Sequence, residues 1–241
     1  FRFASIILST KNRYQFMDRS ETVNFDNKDI RTWDIKKITD KAFKFYQLSL
    51  SEQALLKAKP IQAYKDMLLV GNTENLRPTL YDFLAHKALD FFTNSETELT
   101  RPADRFSVSK PYFFDAAPNF VHGLSRDNIY AFTPDSLSNL LHATQIYFEL
   151  TQFHLNDSTP DALIDLELRR LNFAKTKSTD VDKTKRYSDA LDALAKRYPN
   201  SSNTAEINYY RAQFLASEGD SYSQTSPEKQ WLKKQAFELC Q

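Results

Sequence analysis

One predicted helix face carries the residue types that could do acid–base or metal chemistry. Asp82, His86 and Asp90 are spaced at i, i+4 and i+8, which places them on one side of a helix. A carboxylate beside a histidine can orient the imidazole for proton transfer, and both residue types can bind a metal ion. No second histidine stands three or four residues from His86, as zinc sites usually require. The favoured interpretation is a polar stripe that solvates an otherwise apolar helix.

The three other histidines build no ligand set in the sequence. His142 and Glu149 fall on the polar face of one predicted helix, where exposure to solvent explains them. His154 ends that helix, where a cation interacts favourably with the helix dipole. His122 has no partner visible in the sequence, and no HExxH motif is present. An enzyme that uses His86 and its neighbours is therefore the least favoured class of function.

The remaining reactive groups also favour a protein without catalysis. Cys240 is the single cysteine, so no disulfide can form within the chain, and we predict it to be a small packing residue. With only three glycines, phosphate-binding loops and a GxSxG nucleophile elbow are excluded. Glu96, Glu98, Asp161 and Asp165 lie in loops or first helical turns, where they favour the helix dipole. We predict no enzyme, and no catalytic, cofactor-binding or metal-binding residue.

The composition predicts an all-α fold. Only 3 of 241 residues are glycine, against a usual share of about 7%. Sheets with tight turns and dinucleotide-binding folds need many more glycines, whereas helices joined by Ser, Asn, Asp and Pro turns need few. An aromatic content of 14% supplies enough apolar surface to bury a core.

Charge and hydropathy limit the partners of this chain. The net charge is +1 and the basic residues are spread along the sequence, so nucleic acid is a poor candidate. A membrane span needs about 18 consecutive apolar residues, and no apolar stretch in the sequence approaches that length, so we predict no transmembrane segment. The short apolar run at residues 1–9 is interpreted as the tail of a helix rather than a signal peptide.

Helices must position these side chains, and apolar periodicity predicts where they lie. Thr32 is the expected N-cap of the first helix, and Thr79 with Asp82 forms a capping-box variant before a helix that is apolar nearly all round. We expect that helix to be central in the core. The predicted helices cover 33–50, 51–56, 60–71, 79–92, 133–155, a stretch from Pro160, 187–198, 203–219, and 226 to the end of the sequence.

Residues 93–133 break this helical pattern. Pro102, Pro111, Pro118 and, just after the stretch, Pro134 interrupt the periodicity, yet residues 93–133 are rich in aromatic residues that a disordered linker would not hold. The aromatic residues are Phe106, Tyr112, Phe113, Phe114, Phe120, Tyr130 and Phe132. We predict an ordered, mostly extended, non-helical excursion pinned to the helical body. The predicted division is 1–92, an N-terminal helical part; 93–133, the excursion; and 134–241, helical hairpins.

The predicted C-terminal helices show the residue pattern of a helical repeat. Aromatic and small residues alternate at turn spacing from Tyr187 to Tyr198-Pro199, and again through Tyr209 and Tyr210. This pattern is similar to tetratricopeptide (TPR) hairpins in architecture, without a strict 34-residue consensus. We predict stacked antiparallel hairpins in a TPR-like superhelix, with these tyrosines in the core rather than in a groove. The last helix lacks a predicted partner, so we expect a segment of a longer protein.

Several segments in order resemble the N-terminal helical region of very large bacterial alpha-2-macroglobulin-like proteins. The most specific piece is Arg77-Pro78-Thr79-Leu80-Tyr81-Asp82-Phe83-Leu84-Ala85-His86. The others are Asn12-Arg13-Tyr14-x-Phe16-x-x-Arg19-x-Glu21-Thr22, Asp29-Ile30-Arg31-Thr32-Trp33-Asp34, Ala88-Leu89-Asp90-Phe91-Phe92, Asp161-Ala162-Leu163-Ile164-Asp165 and Leu168-x-Arg170-Leu171.

The resemblance implies a non-catalytic module of an exported protein of a protease-inhibitor family, in the periplasm or at the cell envelope. Its expected partners are the downstream domains of the same polypeptide, and proteases or envelope proteins. The thioester and bait region of the family are not visible here, so no functional residue carries over. The alternative is a free-standing TPR-like adaptor that binds a partner peptide. A groove filled by the excursion of the chain itself would count against that alternative.

Overall fold

The structure, a computed structural model, describes residues 28, 33–68, 71, 73–95, 104–128, 135 and 137–241. Within these residues it contains nine α-helices and no strand, which confirms the all-α prediction. The helices are α1 Ile35–Ser49, α2 Gln53–Lys57, α3 Leu80–Phe92, α4 Ala117–Asp127, α5 Asn139–His154, α6 Asp161–Lys177, α7 Lys183–Arg197, α8 Thr204–Gly219 and α9 Leu232–Glu238. The predictions made for residues 1–9, Thr32, Glu96, Glu98, Tyr130, Phe132 and the helix start at 133–134 lie outside the described residues.

The chain divides into two compact units. The first unit comprises 1–105 and 134–146, and the second comprises 106–133 and 147–241. Helix α5 therefore contributes its first half to one unit and its second half to the other. The residues predicted as an excursion belong mainly with the C-terminal helices.

Helix α3 is the centre of the first unit, as its sequence predicted. The Thr79 hydroxyl accepts a hydrogen bond from the Asp82 amide, and the Asp82 carboxylate accepts one from the Thr79 amide at 2.9 Å, which completes the capping box. Eight of the residues in this helix are buried. Phe91 stacks on Tyr46 of α1 at 5.0 Å between ring centroids, and Phe92 meets Phe43 edge-to-face at 5.3 Å. The aromatic rings of two helices thus close this core.

Two predictions in the first unit are corrected. The N-cap of α1 is Asp34, whose carboxylate accepts a hydrogen bond from the Lys37 amide at 2.8 Å. The stretch predicted as a helix over 60–71 forms only a 3-10 turn, Ile61–Tyr64, followed by turns. Ile61 is the one buried residue of that turn. A helix without an apolar face packed on a core has too little tertiary stabilisation to extend.

The excursion is not wholly non-helical, and that prediction is wrong for residues 117–127. Helix α4 begins one residue before Pro118, a position where the fixed φ of proline favours a helix start. Its buried residues are Ala117, Phe120, Gly123 and Leu124, which form one helical face. Asn128, in the left-handed conformation with φ 42°, ends it. One of the four prolines therefore starts a helix.

The second unit is a series of helices that pack in chain order. Helix α6 contacts α7, α7 contacts α8, and α8 contacts α9, with short connections between them. Helix α6 is buried on almost every side, including Leu166, Leu168 and Leu171. The terminal helix predicted from Ser226 is instead a 3-10 turn, Pro227–Lys229, followed by the short helix α9.

Candidate functional site

Helix α6 carries a buried ion pair at the centre of the second unit. Glu167 and Arg170 lie one turn apart on this helix, and their exposed fractions are 2% and 1%. The apolar side chains that surround them draw the whole turn into the core. Charged side chains are almost never buried to this extent unless they are paired. The groups to which these two side chains are hydrogen-bonded therefore indicate what the site does.

Arg170 binds the backbone of the segment that precedes α4. Its Nη1 donates a hydrogen bond to the Phe113 carbonyl oxygen at 2.6 Å, and its Nη2 donates one to the Asp115 carbonyl oxygen at 2.7 Å. The guanidinium carbon also lies 4.4 Å from the centroid of the Phe120 ring, a cation–π contact. The planar guanidinium thus fixes the conformation of three consecutive residues through main-chain atoms.

Glu167 caps helix α4 from another part of the chain. Its Oε1 accepts a hydrogen bond at 2.8 Å from the amide of Ala117, the first residue of α4. The first amides of a helix have no partner within the helix, and the helix dipole favours a negative charge at that end. The same oxygen lies 3.5 Å from Arg170 Nη2 and 3.6 Å from Arg197 Nη1.

The electrostatics of the cluster are dominated by burial. Burial lowers the pKa of Arg170, because desolvation disfavours the cation, while the charges of Glu167 and Asp115 act in the opposite direction. Arginine keeps its proton in proteins because its ordinary pKa is so high. The cluster is therefore an interior pair of opposite charges whose hydrogen bonds run to the main chain.

Two further contacts fasten the same segment to the helices. The Thr179 amide, beyond the end of α6, donates a hydrogen bond to the Val108 carbonyl oxygen at 3.0 Å, and Val108 is fully buried. The Tyr112 ring packs directly on Gly123 of α4, where a Cβ atom would lie 2.6 Å from ring carbons. We name residues 106–120 the fastened segment. Its aromatic side chains Tyr112, Phe113, Phe114 and Phe120 are all buried.

A separate pocket of about 140 Å³ lies between α7, α8 and α9. Its lining combines apolar side chains with an ion pair in which Arg211 Nη2 lies 2.6 Å from Asp192 Oδ1. The lining residues are Ser188, Leu191, Asp192, Arg211, Phe214, Leu215 and Gln235. This volume is close to that of an engineered core cavity that binds benzene, so the pocket can hold one side chain of a partner.

The predicted histidine stripe is not a solvated one. Asp82 and His86 are buried, with exposed fractions of 0% and 4%, while Asp90 is exposed. Asp82 is used in the capping box of α3. The solvated-stripe interpretation is wrong for these two residues because both are buried in the first unit, whereas Lys87 and Asp90 of the same helix are exposed. No cluster of His, Cys, Asp or Glu suited to a metal ion occurs in the described part of the chain.

Among the other histidines, His142 is placed differently from expectation, whereas His154 ends α5 as predicted. His142 is half-buried rather than solvent-exposed, and its ring lies 4.8 Å from that of Phe43. His154 is buried, and its Nδ1 lies 2.7 Å from Asp157 Oδ2. His122 is exposed on α4. His142 and His154 lie near opposite ends of α5 and His122 lies on α4, and the described residues contain no group of metal-binding side chains that includes them.

Cysteine and tyrosine predictions had mixed outcomes. Cys240 is exposed, so its assignment as a packing residue is wrong. Tyr187 is buried as predicted, with its hydroxyl donating to Asn172 Oδ1 at 2.7 Å. Tyr198 and Tyr210 are half-buried, and Tyr209 is 59% exposed, outside the core.

Sequence reasoning missed Glu167 and Arg170 as a site. The available signal was that Glu167 and Arg170 lie among the apolar residues of α6, whereas the less buried face of this helix carries Arg169, Asn172 and Thr176. A charged pair at i, i+3 in such a helix predicts a buried pair with a main-chain or ionic partner. The identity of that partner, 50 or more residues away in the chain, had no local signal.

Comparison with known proteins returned no relative. No family model matches the chain, and neither a curated protein nor a solved structure matches it. Across the part of the chain that the structure describes, no helix combines the length and apolarity that a membrane crossing requires.

Proposed function

We propose that this chain is a non-catalytic helical module of an exported alpha-2-macroglobulin-like protein, with a structural and protein-interaction role. In this proposal its helices form a TPR-like stack that supports or positions the downstream macroglobulin domains, in the periplasm or at the cell envelope. The observation that supports a non-catalytic role is what Arg170 and Glu167 bind. The most deeply buried charges of the second unit bind the main chain of the same polypeptide.

The energetics of that cluster suit a scaffold. An arginine–carboxylate pair in the core is costly to desolvate and is retained where it specifies one conformation. Here it selects the position of the fastened segment relative to α6. A module that holds other domains in place needs such internal rigidity, whereas a catalytic site needs charges that face a substrate.

The most specific run of the resemblance has structural uses that support the same proposal. Thr79 and Asp82 cap α3, and Tyr81, Ala85 and His86 are buried in it. These residues thus specify the central helix of the first unit. A likeness in such residues is the kind expected between modules that share a fold.

The alternative, a TPR-like adaptor for a partner peptide, is favoured by one observation. The 140 Å³ pocket is lined by the apolar residues Leu191, Phe214 and Leu215 and by the Asp192–Arg211 pair, an arrangement suited to one anchoring side chain. The region where α6 and α7 meet is different, because the 3-10 turn Pro111–Phe114 packs on both helices. A peptide that needed that position would have to displace the fastened segment.

Mass spectrometry of the endogenous polypeptide tests the proposal. We expect a very large product with β-rich domains following Gln241, recovered from the envelope or periplasmic fraction. A product close to the 28.0 kDa of this chain would overturn the proposal. In that case, capture of a specific peptide that is lost with Arg211→Ala and retained with the exposed-site control Lys185→Ala would support the adaptor.

A further inference from the structure

Two polar atoms in the α6 cluster are buried and have no hydrogen-bond partner among the described residues. They are Glu167 Oε2, an acceptor, and Arg170 Nε, a donor. Both belong to side chains whose other polar atoms are bonded to the fastened segment. A buried charged group that leaves one atom unpaired loses hydration without compensation, so each such atom in a native protein calls for a physical explanation.

The same two residues line a small cavity. Its volume is about 30 Å³, and it lies between α6, α7 and residues 114–116. The lining on the α7 side includes Ala190, Ala193 and Arg197. One water molecule needs a cavity volume of roughly 10–15 Å³ on this measure and two to four polar partners. The cavity therefore has room for one water molecule and at most about two more.

We propose that a structural water molecule binds in this cavity, accepts a hydrogen bond from Arg170 Nε and donates one to Glu167 Oε2. The charges of the lining select a neutral ligand. An anion would face the Glu167 carboxylate, and a cation would face the guanidinium groups of Arg170 and Arg197. Water supplies both the acceptor and the donor that the two atoms require.

The bound water completes the network that holds the fastened segment. Without it, Glu167 has one satisfied oxygen and Arg170 has satisfied terminal nitrogens, but the facing edges of the two groups lack partners. With the water bound, both carboxylate oxygens of Glu167 and all three guanidinium nitrogens of Arg170 have hydrogen-bond partners. A continuous set of hydrogen bonds then joins α6 to α4. This inference does not depend on the proposed role in a macroglobulin-like protein.

A cavity-filling variant tests the water. Ala190→Val adds two methyl groups to the lining of this cavity, and Ala195→Val makes the same change on α7 at a position that does not line it. If the cavity is hydrated, we expect the thermal midpoint of Ala190→Val to fall about 2–4 °C below that of Ala195→Val. A dry cavity would give the opposite order, because the added methyl groups would fill empty space without displacing a bound molecule.

NMR on the unsubstituted protein provides a direct measurement that does not depend on a variant folding. The Nε–H proton of Arg170, assigned through its scalar correlations to the other atoms of the Arg170 side chain, should show a magnetisation-transfer cross-peak from bound water. A crystal structure should show a solvent peak within hydrogen-bond distance of both Glu167 Oε2 and Arg170 Nε. Absence of the cross-peak, or a peak identified as an ion by anomalous scattering, would overturn the proposal.

Discussion

Replacing Arg170 by methionine should release the fastened segment. Methionine has a similar length but cannot donate the two hydrogen bonds to the carbonyl oxygens of Phe113 and Asp115. Each hydrogen bond from a charged group contributes about 1.5–3 kcal/mol. The change also leaves the Glu167 carboxylate buried beside the half-exposed Arg197, and removing one partner of a buried pair costs about 3–5 kcal/mol.

These contributions overlap, since Arg170 both binds the carbonyl groups and compensates Glu167. We therefore expect the free energy of unfolding to fall by about 4 kcal/mol, a large part of the roughly 5–15 kcal/mol that stabilises a typical domain. Urea unfolding followed by far-UV circular dichroism measures the loss. Hydrogen exchange of the Ala117 amide, which donates to Glu167, reports specifically on the segment and should become faster.

Two control variants separate this mechanism from a general loss of packing. Arg197→Met removes a guanidinium that is 36% exposed and 3.6 Å from the same carboxylate, so its cost should stay below about 1 kcal/mol. Combining Arg170→Met with Glu167→Met removes both charges, and the double variant should lose less stability than the two single variants summed. If Arg170→Met lowers the free energy of unfolding no more than Arg197→Met does and leaves the exchange rate of the Ala117 amide unchanged, the reasoning fails.

Three other substitutions test separate parts of the structure. Gly123→Ala should destabilise by about 1–3 kcal/mol in urea unfolding, although this change usually stabilises a helix, because the new Cβ would meet the Tyr112 ring. Burial raises the pKa of Tyr187 to about 12, so the stabilising contribution of this residue is complete below pH 10 and is lost as the pH rises through 12. Tyr187→Phe removes the titrating hydroxyl and its hydrogen bond to Asn172. The free energy of unfolding of this variant should therefore fall less steeply between pH 10 and pH 12. Thr79→Ala should cost about 1 kcal/mol by removing the hydroxyl of the capping box, measured by the same unfolding assay.

Matched variants define what would contradict these expectations. Ser125→Ala is an exposed change on the same helix as Gly123 and should be neutral or slightly stabilising. A Gly123→Ala protein as stable as Ser125→Ala would show that Tyr112 moves aside freely. Tyr209→Phe alters an exposed ring, and an equal flattening in Tyr209→Phe and Tyr187→Phe would remove the role assigned to burial.

Local features of the sequence predicted the helical character and much of the placement of the helices. Glycine scarcity and apolar periodicity are properties of the chain itself, and they depend on backbone sterics and on the 3.6-residue repeat. The capping box of α3 was predicted for the same reason, since Thr79 and Asp82 are three residues apart. The predicted helix boundaries were less accurate at prolines, because a proline can either begin a helix or interrupt one. Pro118 begins a helix, whereas the sequence pattern suggested a break.

Tertiary structure alone decided which polar residues are buried and what they bind. Periodicity assigns Asp82, His86, Glu167 and Arg170 to faces of helices, but it cannot say whether water or another helix lies opposite that face. The hydrogen bonds of Arg170 to Phe113 and Asp115 join positions more than 50 residues apart, so no local pattern encodes them. The sequence by itself determined an all-α protein with a capped central helix, because those features depend on near neighbours. The site at α6 exists only where distant parts of the chain meet, because burying a charge requires partners that the fold must supply.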